Sequence, residues 1–240
     1  MITIATHNNK NTIKGEITMS FIIGIDGPAG SGKGTVTKII AKKFGLTHID
    51  TGITYRAVAK AVLDNNIKLD EKEKIIEIAK NINIEIVNDE NVDKVYLNGK
   101  DVTKDIRSKE VTAIVSQVSS IKEVRLLMVE LQRKLAEGKN VIMEGRDICT
   151  YVFPNADLKI YLKASLEERA RRRYEENKEK GIDTTYEEVL QSIKLRDEND
   201  MNKEIGSLRI AEDSIVVDTT GFEIEQSVEK ISEIIKERMK

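Results

Sequence analysis

Residues 27–35 of the 240-residue chain read Gly27, Pro28, Ala29, Gly30, Ser31, Gly32, Lys33, Gly34 and Thr35, a G-x-x-x-x-G-K pattern. Positions without a Cβ let backbone N–H groups close around phosphate oxygens, and a helix that starts where the loop ends adds positive potential. In such a loop Lys33 reaches the β- and γ-phosphates of a triphosphate, and a hydroxyl at the helix start orients Mg2+. The strict pattern carries Ser or Thr directly after the lysine. Here Gly34 intervenes, and Thr35 supplies the hydroxyl.

A second group of residues points to a second phosphorylated ligand. The segment VIMEGRD at 141–147 ends in Glu144, Arg146 and Asp147, and an Asp-Thr-Gly turn at 50–52 leads into Tyr55 and Arg56. Arginine forks pair bidentately with phosphate, and ligands of open α/β sheets collect at strand carboxyl ends. Arg169 and Arg173 lie four residues apart on one face of a charged segment. Spacing alone leaves two readings open: a pair that stacks on an adenine and reaches its phosphates, or a solvated face paired with Glu167, Glu168, Glu175 and Glu176. Residues 218–221 match the D-x-x-G of a GTPase switch, but no guanine-reading N-K-x-D occurs in the chain. The match reads as a decoy, and a switch GTPase is not the expected reading.

The elements that must position these residues follow from periodicity. The apolar run at 21–26 predicts a strand buried on both faces, and residues 35–44 predict a helix with Val36, Ile39, Ile40 and Lys43 at helical spacing, stopped by Gly45. Further strands are expected at 140–144, 157–162 and 214–218. Helices are expected after Gly52 and at 71–80, 108–119, 122–137, 166–180, 186–199 and 224–239. Residues 82–87 and 94–97 alternate differently, and Asn98 with Gly99 signals a tight turn, so a small antiparallel element is expected between the helices. Strands alternating with helices predict an α/β fold: a P-loop-type parallel sheet flanked by helices.

Composition narrows the partners. With 40% hydrophobic and 33% charged residues and a formal charge of −2, the chain has the make-up of an ordinary globular protein. It carries no basic field for nucleic acid or an anionic membrane. Its single cysteine, Cys149, forms no internal disulfide and fits a cytoplasmic protein, read as a small packing residue. The polar first twenty residues are expected to be a flexible extension, with Met19 a possible start of the domain proper. Monomer is the expected state.

Several motifs together resemble the bacterial cytidylate kinase family of nucleoside monophosphate kinases. They are IDGPAGSGKGT at 25–35, IDTGITYRA at 49–57, YLNGKDVTKDIRSKEV at 96–111, SQVS at 116–119, EGRDICTYVFPNADLKIYLKAS at 144–165 and EERARRR at 167–173. The resemblance runs from residue 22 to the C-terminus. It implies transfer of the γ-phosphoryl group of ATP to CMP or dCMP with Mg2+, and it accounts for Gly34, since related kinases share that variant. By matching positions it implies that Ser116, Arg125 and Asp147 read cytosine, that Arg56 and Arg146 hold the monophosphate, and that Arg196 and Asp200 meet the sugar. Thr51 falls near the acceptor, and Arg169 and Arg173 fall on a lid helix at the ATP. Lys203 stands where the family usually has a phosphate-binding arginine, and Asn199, Met201, Cys149 and the stretch at 205–208 also depart from its pattern. The domain organisation implied is a kinase core at 21–80 and 106–240, with a lid near 170–206 and a β-rich monophosphate-binding insert at 81–105.

Overall fold

The structure, a computed structural model, describes residues 20–87 and 93–239. The expected extension at 1–20 lies outside the described residues but for Ser20. The chain divides into two compact units, one formed by residues 21–50 and 140–240, the other containing residues 51–139.

The first unit is built on a five-stranded sheet of β1 (Ile22–Asp26), β2 (Thr47–Asp50), β6 (Val141–Gly145), β7 (Leu158–Lys163) and β8 (Ile215–Asp218). Their order across the sheet is β2-β6-β1-β7-β8, and every neighbouring pair is parallel. β1 is central, which is why its residues from Ile23 to Asp26 are all buried and read as a continuous run. Helices α1 (Lys33–Phe44), α6 (Leu166–Glu179), α7 (Tyr186–Met201) and α8 (Ile224–Arg238) belong to the same unit. Ile23, Ile25, Val36, Ile40, Ile160 and Ile231 form the centre of its core. Gly45 ends α1 in a left-handed conformation, φ 66°. Ile39, expected on the inner face of α1, is 42% exposed. Its position on the helix faces away from the core, while Val36, Ile40 and Ala41 are buried in it.

Two pieces of this unit are short and locally weak. β2 has four residues with one fully buried and is read from the sequence only as a segment leading to a turn. Residues Ile148–Val152 form a single π-helical turn, a form with no periodic signature at this length.

The other unit contains α2 (Gly52–Asp64), α3 (Lys72–Asn81), α4 (Lys109–Val118) and α5 (Lys122–Ala136), with a 3-10 turn at Asp105–Arg107. Between α3 and that turn lies a three-stranded sheet of β3 (Ile84–Val87), β4 (Lys94–Leu97) and β5 (Lys100–Asp101), in which both pairings are antiparallel. Asn98 and Gly99 both take positive φ (50° and 81°), the hairpin geometry that their identity favours. On α2 the buried face is Ala57, Val58, Ala61 and Val62; on α5 it includes Val124, Met128, Leu131 and Leu135. Ser108 caps α4 by accepting from the Val111 N–H at 3.3 Å.

Candidate functional site: a phosphate loop with arginines at its flank

The chain turns from β1 into α1 through the glycine-rich loop. Gly27 has no space for a side chain: a Cβ there would lie 2.2 Å from the Leu162 carbonyl oxygen on β7. Gly30 takes φ 76° and would carry its Cβ 3.2 Å from Arg169. Lys33 is buried and folds back over the loop, its Nζ donating to the carbonyl oxygens of Gly27 (2.7 Å) and Pro28 (2.9 Å) and to Ser31 Oγ (3.1 Å). Burial and the neighbouring Arg146 push the Lys33 ammonium well below the usual lysine range, against the pull of Glu144 and Asp26.

Gly34 has a local reason. A Cβ there would lie 3.2 Å from Glu144 Oε1, so the carboxylate at the end of β6 occupies the space a serine would need. Glu144 also lies 3.2 Å from His48 Nε2 on β2, and the Thr37 hydroxyl lies 3.2 Å from the same oxygen. Burial favours the neutral acid, but His48, Lys33 and Arg146 outweigh it and hold the Glu144 carboxyl below its ordinary range. Thr35 exposes its side chain in the first turn of α1.

Arg146 and Asp147 follow β6, next to β1 in the sheet. Arg146 Nε donates to Asp200 Oδ2 at 2.9 Å, and Lys203 Nζ donates to Asp200 Oδ1 at 2.7 Å. Asp200 is thus the anchor of two cations, with the field of Arg196 added. Asp147 is buried, and its carbonyl oxygen accepts from the Tyr151 (2.8 Å) and Val152 (3.0 Å) N–H groups, starting the π-helical turn. Asp26, the last residue of β1, grips the other side of that turn by accepting from the Ile148 and Cys149 N–H groups at 2.8 and 2.7 Å. Burial pushes its carboxyl above the usual range despite these donors.

Arg169 and Arg173 have different environments. Arg169 is buried, donating from Nε to the Ala164 carbonyl oxygen and from NH1 to the Ala29 carbonyl oxygen and Asp197. Arg173 is 39% exposed and pairs with Glu176. Periodicity places the two on one helical face but does not tell which is covered by the loop and α7.

In the 51–139 unit, Arg56 on α2 donates to the Ile106 carbonyl oxygen and to Thr112 Oγ1, both at 3.0 Å. Arg125 on α5 is buried, donates to the Tyr55 hydroxyl at 2.9 Å, and its guanidinium sits 5.1 Å from the Tyr55 ring centre. The Ser116 hydroxyl oxygen on α4 is buried without a hydrogen-bond partner, a costly state unless a ligand supplies one. Thr51 is buried at the N-terminus of α2, where its carbonyl oxygen accepts from the Thr54 N–H and hydroxyl.

The residues that sequence reasoning passed over are Asp26, Thr37, His48 and Asp197; Tyr55 was singled out only as the neighbour of Arg56, not as the partner of Arg125. Each acts through a partner distant in the chain, and only Asp26 carried a local signal, as a carboxylate closing an apolar strand.

The model of the cytidylate kinase family matches residues 23–237. The chain is similar to a cytidylate kinase of Caldicellulosiruptor saccharolyticus, 51% identical over 88% of this chain and 94% of that one. It is also similar to a cytidylate kinase of Bacillus subtilis, 45% identical over 90% of this chain and 96% of that one. Among solved structures, an uncharacterized protein from Eubacterium ventriosum superposes with a TM-score of 0.51 at 12% identity, covering 90% of this chain and 99% of that chain, a likeness of fold alone. A family match over nearly the whole sheet unit and the whole 51–139 unit, joined to relatives near half identity, establishes that the chain belongs to the cytidylate kinase family.

Proposed function

We propose that this protein transfers the γ-phosphoryl group of ATP to CMP or dCMP, giving ADP and CDP or dCDP. The observation that carries the reading is the pairing of neighbouring strands: β1 leads into a triphosphate loop with Lys33 folded over it, and β6 leads directly into Arg146. Donor and acceptor phosphates would each meet a cation there.

The acceptor is already an oxyanion at neutral pH, so the reaction needs no general base. Positioning and cationic charge supply the catalysis. Backbone N–H groups of the loop at 27–35, apart from Pro28, which has none, and Ala29, whose N–H donates to Asp197, hold the triphosphate of ATP. Lys33, Arg146 and Arg173 spread positive charge over the transferring group, and Arg169 acts at the ATP through the loop. Ser116 and Arg125 match the amino, N3 and O2 pattern of cytosine, as does the Asp147 carboxylate. Arg56 and Arg146 suit the monophosphate, Arg196 and Asp200 the sugar, and Lys203 adds a point charge on the acceptor phosphate. Thr51 offers a small polar group toward the acceptor.

Mg2+ keeps most of its waters in kinases and leans on substrate phosphates, so one exposed protein hydroxyl such as that of Thr35 fits it. When bound, it neutralises charge on the phosphate chain. No group of three or more His, Cys, Asp or Glu residues that could hold a metal ion is found among the described residues. No described helix is long and apolar enough to cross a membrane. A cytoplasmic location, in line with the single cysteine, and a monomeric state belong to the same proposal.

The test is ADP formation with CMP, dCMP, UMP, AMP and GMP in turn. CMP and dCMP should stimulate it at least about tenfold over the others, a discrimination set by hydrogen bonds to the base. ATP binding with no CMP-stimulated ADP would refute the assignment.

A further inference from the structure

The phosphate loop is held from outside itself. The Ala29 N–H donates to Asp197 Oδ1 at 3.1 Å, and the Ala29 carbonyl oxygen accepts from Arg169 NH1 at 2.9 Å. Both polar groups of one loop residue are therefore gripped by a buried ion pair whose members come from two helices, Arg169 of α6 and Asp197 of α7. Each is 6% exposed. Arg169 is itself fixed by its Nε bond to Ala164 (3.0 Å). The Ala29 methyl completes the contact by packing with Ala170, Val189 and Ile193 of the same two helices.

An ion pair that is almost completely buried carries a large desolvation cost, and apolar residues of similar volume often serve stability as well. This pair does something apolar residues cannot. It presents one acceptor to the N–H and one donor to the carbonyl of Ala29, fixing the two peptide units on either side of it, in a loop whose other N–H groups must aim at phosphate. Three residues further along α7, Asp200 holds Arg146 and Lys203. Asp197 and Asp200 stand at i,i+3 and share a helix face. One helix face thus fixes both the donor loop and the arginine of the neighbouring strand.

We infer that Arg169 and Asp197 are positioning residues for the phosphate loop, acting on ATP through the Ala29 peptide, with α7 linking the geometry of the loop to that of Arg146. The inference rests on the proposed ATP reading of the loop.

The experiment uses the full chain and two variants, Arg169→Met/Asp197→Leu and Asp197→Asn. The double variant keeps volume and leaves no unpaired charge, but it removes both grips on Ala29. It should unfold cooperatively near the wild-type temperature, while ATP KM, and the Kd of ATP alone measured by equilibrium binding without acceptor, rise at least about tenfold and CMP KM changes less than about threefold. Asp197→Asn retains an acceptor for the Ala29 N–H and should show a smaller rise, about threefold, in ATP Kd alone. ATP affinity unchanged in either folded variant overturns the inference, as does an equal rise in both KM values, which would mark general loosening. If the double variant does not fold, the Asp197→Asn arm decides. A wild-type protein that binds ATP but makes no ADP with CMP sinks the acceptor assignment, and the ATP Kd comparison still judges the tether.

Discussion

Gly24, in the middle of the central strand, and Cys149, in the π-helical turn after β6, fill one space between them: a Cβ on Gly24 would lie 2.8 Å from Cys149 Sγ. The thiol occupies the volume that any side chain at position 24 would need. Gly24→Ala should therefore destabilise the protein by about 1–3 kcal/mol through overpacking. Adding Cys149→Gly should recover at least about 1 kcal/mol of that loss, a coupling energy readable from a double-mutant cycle in denaturant. Additive effects would show that the turn yields freely. Burial and the nearby Asp26 carboxylate push the Cys149 thiol far up, so thiol reagents should label it only as the chain unfolds.

Lys33 already lies over the loop, held by the Gly27 and Pro28 carbonyl oxygens. Replacing it with methionine keeps the stem and removes the charge. Turnover with CMP should fall at least about 100-fold, the scale of one lost charge-stabilising donor in a dry site. Steady-state kinetics with ATP and CMP both varied will check this, and a loss confined to ATP KM would assign Lys33 to binding rather than to the transfer step.

Ser116 and Arg125 should govern choice of acceptor rather than use of ATP. The Ser116 hydroxyl lacks a hydrogen-bond partner, and Arg125 is set by Tyr55. Ser116→Ala and Arg125→Met should each raise CMP KM about 10- to 100-fold, narrow the preference for CMP over UMP and AMP, and leave ATP KM near wild type. If the CMP/UMP/AMP ratio survives Arg125→Met, the base is read elsewhere.

Asp200 gives a pH dependence of known sign. Burial favours its neutral form, but Arg146, Lys203 and Arg196 outweigh that and hold the carboxyl well below the usual carboxylate range. Its folded pKa therefore lies below the unfolded value of about 3.9. The stabilisation is complete above that value and is lost as pH falls toward the folded pKa. Asp200→Asn should cost on the order of 2 kcal/mol at neutral pH, because Arg146 and Lys203 lose their counter-charge. Between about pH 4 and pH 2 the variant's stability should fall less steeply than the parent's, as chemical denaturation at stepped pH will measure. Parallel curves would mean that Asp200 is not the titrating group.

Local patterns in the chain were enough to locate the phosphate loop, the alternation of strands and helices, and the Asn98-Gly99 hairpin. These depend on short-range physics: the conformational freedom of glycine, the burial of a central strand on both faces, and the helical period of an apolar stripe. The arginines at the strand end were legible for the same reason, since strand ends follow from strands. Tertiary structure alone decided which charges stay available and which are consumed. Arg169 and Arg173 are equivalent in sequence, yet one is locked to Ala29 and Asp197 and the other pairs at the surface with Glu176. The partners of Arg169 come from β1's loop and from α7, and no window of sequence holds them together. Likewise Gly34 was a departure from the strict loop pattern until Glu144, 110 residues later, proved to fill the space beside it. A steric or electrostatic partner across that distance is set by the packing of the whole unit, not by anything adjacent in the chain.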